Sequence, residues 1–436
     1  MAGDAEGARP RPDRDVAVTG LGAVTPYGVG VDALWDGWCA GRQTADRVRS
    51  FDVTGYPCQI ACELDGFDPQ EHLPRKLVRQ LDPFAQFGLI AAHEALAQAG
   101  LVVEGDGVRV PLIDDVDPTR VGVLCASGIG GINEMTDQYA RQLAEGPGKV
   151  RPFMAIALPL NMAGGQIAIR HGLQAQSWSV VSACASGTDG IGAALDLLRA
   201  GRADVVVAGG AEAAVNPLSL AGFGAAGAMS RRNDDPASAS RPFDVGRDGF
   251  VAGEGAGMLV LETLDHARAR GAEPLALLSG YGASNDAHHP TAPHPEGSGA
   301  SRALELCLAD AELPREQVGH VNAHGTSTPT NDPSEAAALR RVFGDQADHL
   351  ALSSTKSAIG HLLGAAGGVE AVATVRALTD GLVPPTLNLD EQDPDCPVDV
   401  VTGAPRRVAA SAALSESFGF GGHNGVLAFR AWSSQP

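Results

Sequence analysis

The chain has 436 residues, of which 44% are hydrophobic and 5% aromatic, with 55 glycines and a formal net charge of -20. That length holds one large α/β domain or two core-forming halves, and the acidic balance excludes a nucleic-acid or anionic-membrane surface, which would repel it at long range. No apolar run approaches the roughly 18 residues that cross a bilayer, and the polar N-terminus has no signal-peptide core. Seven cysteines without a Cys-x-x-Cys pair fit a reduced, cytoplasmic protein. An acidic partner would need a local basic patch, for which Arg75, Lys76 and Arg79 form the most compact cluster.

Residues 1–14 mix Gly, Pro and charge without periodicity and read as a flexible tail. Residues 16–24 read as a strand entering a glycine turn, but Gly20-x-Gly22 lacks the third glycine of a dinucleotide fingerprint, and Thr25-Pro26 interrupts the expected helix start. The spacing predicts a helix over 83–100 and a buried strand over 121–125, followed by the glycine loop 127–131. A strand at 177–182, a helix from about Ser186 to Ala200 and a strand at 203–208 make a parallel crossover. Another apolar strand at 253–261 and a short helix at 264–270 follow. From Pro274 the pattern restarts, with strands at 275–278, 319–323, 350–353 and 426–432 and helices at 301–311, 333–343 and about 360–378. Two successive α/β halves meeting near residue 272 are the expected architecture, divided as 1–14, 15–272 and 273–436.

Four stretches carry chemistry. In the run from Val180 to Gly190, Cys184 stands where a strand turns into a helix, so helical N–H groups would favour its thiolate. Taken alone, the pattern equally describes a buried structural cysteine. In Asn322-Ala-His-Gly-Thr-Ser-Thr-Pro329, His324 lies just past a strand end, either exposed to a cleft or simply hydrogen-bonded. The stretch from Ser353 to Gly368 holds Lys356 and His361 in small-residue surroundings, where Lys356 either stays solvated or pairs with Glu370. Phe418-Gly-Phe-Gly-Gly-His-Asn424 is a mobile loop offering backbone N–H groups, or a turn before the last strand.

Together these motifs, with Arg241-Pro-Phe-Asp, Gly253-Glu-Gly-Ala-Gly257 and Asp286-Ala-His-His-Pro-Thr291, resemble the elongating β-ketoacyl-acyl-carrier-protein synthases of dissociated fatty-acid and type II polyketide systems. The resemblance covers roughly residues 15–432. It implies a thiolase-like α/β fold, two similar halves in α-β-α-β-α layers, and an acyltransferase that condenses a Cys-bound acyl chain with malonyl-acyl-carrier protein as carbon dioxide leaves.

The resemblance makes Cys184 the acyl acceptor, His324 and His361 the extender-binding pair, Lys356 and Glu370 a supporting ion pair, and Phe420 the gating aromatic beside Phe418. Thr326, Thr328 and Thr291 match positions that hydrogen-bond the phosphopantetheine arm, and Ile129, Phe223 and Met154 match the acyl pocket or its dimer wall. Arg75, Lys76, Arg79 and Lys149 are the expected docking cations for an acidic acyl carrier protein. No metal and no permanently bound cofactor are expected, the acyl groups arriving on the carrier's phosphopantetheine. The partner subunit is a second copy or a homologous chain-length factor.

Three positions depart from the usual fatty-acid pattern. Gly227 replaces a common basic residue, Met154 a common Phe, and Glu416 a common Asn, which leaves a dedicated polyketide pathway open. A biosynthetic thiolase would need a second cysteine in the loop that reads Gly419-Phe-Gly-Gly-His-Asn424. An initiating synthase is disfavoured by His361, and a non-catalytic chain-length-factor-like subunit by the presence of Cys184.

Overall fold

The computed structural model describes residues 15–433 apart from 104 and 106, so the expected tail over 1–14 lies outside the described residues. Strand β1 (Val16–Thr25) is continuous, and the glycine turn expected inside it does not form. A Cβ at Gly20 would lie 2.0 Å from the Ala95 carbonyl oxygen, and one at Gly22 1.9 Å from that of Ala91. The glycines let helix α1 (Pro83–Gln98) lie directly on the strand. Helix α1 starts where Asp82 accepts from the Phe84 N–H at 3.2 Å, with Pro83 as its first residue.

The remaining strands of the first half are β2 (Val121–Ala126), β3 (Ser177–Trp178), β4 (Val205–Glu212) and β5 (Gly255–Thr263). They run in the order β3-β2-β4-β5-β1, with β3, β2 and β4 parallel and the later pairings antiparallel. The second half supplies β6 (Ala276–Asn285), β7 (Val318–Asn322), β8 (Ala351–Ser353), β9 (Ala412–Gly419) and β10 (His423–Ala431). Their order, β8-β7-β9-β10-β6, repeats the same connectivity and directions. A short antiparallel pairing of Val16–Val18 with Leu278–Ala276 joins the halves into one path.

Helices make the other layers. Leu89 and Leu96 of α1 pack on Val123, Val207 and Val260 of the first sheet. Between the sheets lie α2 (Ser186–Arg199) and α5 (Ala366–Asp380), whose Ile191, Leu195, Val369 and Val372 share one core with both. On the far side, α3 (Ser298–Asp310) and α4 (Asn331–Phe343) bury Leu304 and Leu339 against Val321 and Leu414. The result is the thiolase-like α-β-α-β-α stack.

Several elements differ from their sequence pattern. The buried strand expected over 177–182 is a two-residue edge, with Trp178 37% and Val181 56% exposed, because among the described residues β3 has β2 on one side and no strand on the other. The helix expected from about Gly360 begins as a 3-10 turn (Leu363–Ala365) and becomes α-helical only with α5, while a separate short helix (Lys356–Ile359) precedes it. His361 separates them. Its N–H donates to the Val251 carbonyl at 2.7 Å and its carbonyl accepts from Gly253 at 2.9 Å, which hold it extended. Strand β9 was missed because its Ser415, Glu416 and Ser417 are polar yet buried.

Candidate active site

Each central helix is entered through a matching turn. Before α2, Ala183–Ala185 form a 3-10 turn with Ala183 at φ 53°; before α5, Leu363–Ala365 form another with Leu363 at φ 50°. Left-handed backbone is costly for side-chain-bearing residues, so these turns persist only where their surroundings enforce them. Here the two helix starts meet: a Cβ on Gly187 would lie 2.7 Å from the Gly368 nitrogen. The first turn presents Cys184, and the second follows His361.

A cavity of about 430 Å³ opens onto Cys184, His324, His361, Phe418 and Phe420. Ile129, Phe223, Thr291, Thr326 and Thr328 also reach it. Lys356 and Glu370 lie behind the wall, each 2% exposed or less, and form a buried ion pair. Met154 is not part of the lining. Neither are Arg75, Lys76, Arg79 and Lys149, which are exposed on the surface. An Arg151 bond to the Arg79 carbonyl at 3.3 Å draws the segment carrying Lys149 towards the Arg75 cluster.

Cys184 is only 9% exposed, and its sulfur accepts the Phe420 N–H. Gly419 permits that approach, since a Cβ there would stand 3.0 Å from the Cys184 nitrogen. The expected lowering of the thiol pKa does not hold in the resting protein. Burial pushes it up to about 11, outweighing the opposite pull of Lys356 and of the Phe420 N–H. The resting nucleophile is therefore a thiol, whose proton must leave as it attacks.

His361 Nδ1 accepts the Leu363 N–H at 3.2 Å, so a neutral ring carries its proton on Nε2. That Nε2 is buried without a hydrogen-bond partner among the described residues, a donor free to meet a ligand. His324 is 1% exposed, and its Nδ1 is likewise unpartnered. Burial, then the Lys356 charge, holds both imidazoles well below their ordinary pKa; the Phe418 carbonyl opposes this at His324. Two neutral rings beside a thiol are equipped to bind and stabilise an oxyanion by hydrogen bonding.

Sequence reasoning missed three supporting groups. Glu212, at the end of β4, accepts from Ser127 Oγ at 2.9 Å and from the N–H groups of Gly128 at 2.7 Å, Ile129 at 3.2 Å and Gly364 at 3.1 Å. It thus ties the Ile129 loop to the turn beside His361. Asn424, at the start of β10, donates to Asp286 at 2.8 Å in the loop after β6, and both line the cavity. Glu335 underlies His324. Only the placement of these carboxyls among small residues at strand and helix ends hinted at them.

The residues match the family models for the β-ketoacyl synthase N-terminal domain over 13–267 and C-terminal domain over 275–390. A 3-oxoacyl-[acyl-carrier-protein] synthase 2 of Synechocystis sp. is 45% identical over 417 residues, covering 96% of this chain and 98% of its own. The ishigamide ketosynthase/chain length factor superposes with TM-score 0.88 at 34% identity, covering 96% of this chain and 100% of the other. A type II polyketide synthase acyl-carrier protein in complex with its ketosynthase, bound to the hexaketide, gives 0.87 at 31% identity with the same coverages. The chain belongs to the β-ketoacyl synthase family.

Proposed function

We propose that this chain is a 3-oxoacyl-acyl-carrier-protein synthase: it accepts an acyl chain on Cys184 and condenses it with malonyl-acyl-carrier protein in fatty-acid elongation. The observation that carries the reading is the convergence of a thiol, the Phe420 N–H and two neutral imidazoles on one cavity.

In the first half-reaction the Cys184 sulfur attacks the acyl thioester carbonyl and its proton leaves with the departing carrier thiol. Backbone N–H groups of Cys184 and Phe420 stabilise the tetrahedral oxyanion, each worth roughly 3 to 4 kcal/mol of barrier. In the second, His324 and His361 donate to the carbonyl oxygen of malonyl thioester as carbon dioxide leaves, and the resulting enolate carbon attacks the Cys184 acyl group. Collapse of that adduct releases the sulfur and the lengthened 3-oxoacyl chain. The Lys356–Glu370 pair holds positive charge beside the site.

Thr326 and Thr328, whose hydroxyls lie 3.0 Å apart, suit the hydroxyl- and amide-rich phosphopantetheine arm together with Thr291. Ile129 and Phe223 would wall the acyl chain; Phe420, with Phe418, would gate it. The exposed cations Arg75, Lys76, Arg79 and Lys149 suit an acidic carrier. A dimer is supported by the exposed apolar side chains Trp178 and Val181 beside the β3 edge, and Met154 would face the partner. The partner there is a second copy, or a homologous chain-length factor of the kind named in the ishigamide ketosynthase/chain length factor. In this reading the two halves divide at 272/273 and the enzyme works in the cytoplasm.

The test is acylation by acyl-carrier substrate followed by intact-protein mass spectrometry. The acyl mass is expected on wild type and absent from Cys184→Ala; equal labelling of both would refute the assignment.

A further inference from the structure

The matching turns before the two central helices differ in one respect. Counting from the left-handed residues Ala183 and Leu363, Ser182 corresponds to Leu362 and Asp189 to Val369. In the second half both positions are apolar core, each 1% exposed. The half that carries the thiol has a hydroxyl and a carboxylate there, to which the condensation chemistry gives no task.

Asp189 stands in the first turn of α2, where the helix dipole alone would favour an acidic residue. Its contacts are more specific than that. One carboxylate oxygen accepts from Ser182 Oγ at 2.5 Å and the other from the Tyr281 hydroxyl of β6 at 2.9 Å. Tyr281 is itself fixed against α2. A Cβ on Gly192 would lie 2.4 Å from its ring, and its N–H donates at 3.0 Å to Asp310, which pairs with Arg199 at the other end of the helix. On the β10 side, a Cβ on Gly425 would lie 2.7 Å from Asp189 Oδ1. The carboxylate is therefore enclosed by helix and strands, with both oxygens committed.

Ser182 transmits this hold to the site. It is 6% exposed and opens the turn Ala183–Ala185, its N–H donating to Ser186 Oγ at 2.9 Å and its carbonyl accepting from Ala185 at 3.1 Å. The next residue, Ala183, has φ 53°, a conformation that persists only where its surroundings over-determine it. Cys184 follows directly. The Ser182 carbonyl also lies under the residue before Phe420, since a Cβ on Gly419 would stand 2.8 Å from it. A rotation at Ser182 therefore carries the sulfur away from the Phe420 N–H.

We infer that Asp189 is a positioning residue for Cys184: through Ser182, and backed by Tyr281, it enforces the left-handed turn that holds the sulfur at the Phe420 N–H. The inference rests on Cys184 as the acyl acceptor. Without Asp189 the turn relaxes at Ala183, the sulfur and the oxyanion donor lose their alignment, and acyl transfer slows. Decarboxylation, which uses His324 and His361, continues.

The experiment follows both half-reactions in the full-length protein: single-turnover acyl transfer to Cys184 by intact-protein mass, and release of labelled carbon dioxide from malonyl-carrier protein. Asp189→Val, which copies the second half, and Ser182→Ala are each expected to lower the limiting acyl-transfer rate on the order of tenfold to a hundredfold, with the half-saturating carrier concentration unchanged. Decarboxylation is expected to stay near the wild-type rate. The double variant loses no more than the slower single one, because both changes remove the same bond. Asp189→Asn, whose amide still accepts from one hydroxyl and donates to the other, recovers most of the rate. Wild-type acyl transfer in the single variants, losses that add in the double variant, or an equal fall in both half-reactions would overturn the proposal. So would an Asp189→Asn rate as low as that of Asp189→Val, which would make the charge the cause. If Asp189→Val fails to fold, Ser182→Ala, which removes one hydroxyl, decides. Acyl mass on Cys184→Ala would instead refute the functional reading beneath it.

Discussion

His324 and His361 stand edge to face, their ring centroids 5.4 Å apart and their planes at 87°. Both are buried, and each lowers its proton affinity under the Lys356 charge as well as by desolvation. The pair works neutral. Because both pKa values lie well below 6.5, protonation begins only far on the acid side. Decarboxylation of malonyl-carrier protein is therefore expected to stay level from about pH 7.5 down to about pH 5.5. An acid limb centred near the ordinary histidine value would contradict the neutral pair.

At Cys184, with the thiol pushed up to about 11, alkylation by iodoacetamide should rise roughly tenfold per pH unit from about pH 7 to about pH 10. Lys356 opposes that rise in pKa, so Lys356→Met should slow alkylation further at fixed pH. A rate already saturated at neutral pH in wild type would show a resting thiolate instead.

The Lys356–Glu370 pair is buried on both sides, and Ser417 adds a bond to Glu370 at 3.5 Å. Removing Lys356 alone strands a carboxylate whose burial already raises its pKa, at a cost of about 3–5 kcal/mol. Lys356→Met with Glu370→Met should recover most of that loss in denaturant titrations without recovering condensation. Equal stability of the single and double variants would remove the charge pairing as the cause.

Acid stability follows from two other histidines. Burial lowers His320 and His171 to about 4, while each ring bonds a backbone carbonyl, Ala351 at 2.7 Å and Val110 at 2.8 Å respectively. The folded pKa is depressed, so the unfolded chain binds protons first. Stability is full above about pH 6.5 and drops as pH falls towards 4, by on the order of 3 kcal/mol for each ring. Melting temperature measured across that range should decline; a flat profile would refute the assignment.

Large apolar side chains stand exposed on the chain, Trp178 at 37% and Val181 at 56% beside the β3 edge and Tyr139 at 62% and Leu143 at 70% elsewhere on the surface. If the proposed dimer forms there, wild type should scatter light as a dimer and Val181→Arg should shift that mass to the monomer. An unchanged dimer mass would move the interface elsewhere.

How far the sequence reached can be judged residue by residue. Cys184, His324 and His361 were legible because each sits in a run of small residues at an element junction, a local pattern. The thiol's upward shift was not, since it sums the desolvation contributed by segments far apart in the chain. Glu416 stood out as a departure, but its complete burial was set only by the placing of β9 within the sheet. The delayed helix start after His361 was hidden because its cause, a pairing with Val251 and Gly253, is not local.

By itself the sequence determined the chemistry available, with its order along the chain: one thiol, two imidazoles, a lysine with its carboxylate, and a glycine loop able to approach. These are properties of short segments and their side chains. Only the tertiary structure decided how they act. It repeated one sheet order in both halves and set Ala183 and Leu363 in matching left-handed turns where the central helices meet. It also sealed the site so that thiol and histidines rest neutral. Protonation depends on burial and neighbouring charge, and both arise from contacts between residues that the chain keeps far apart.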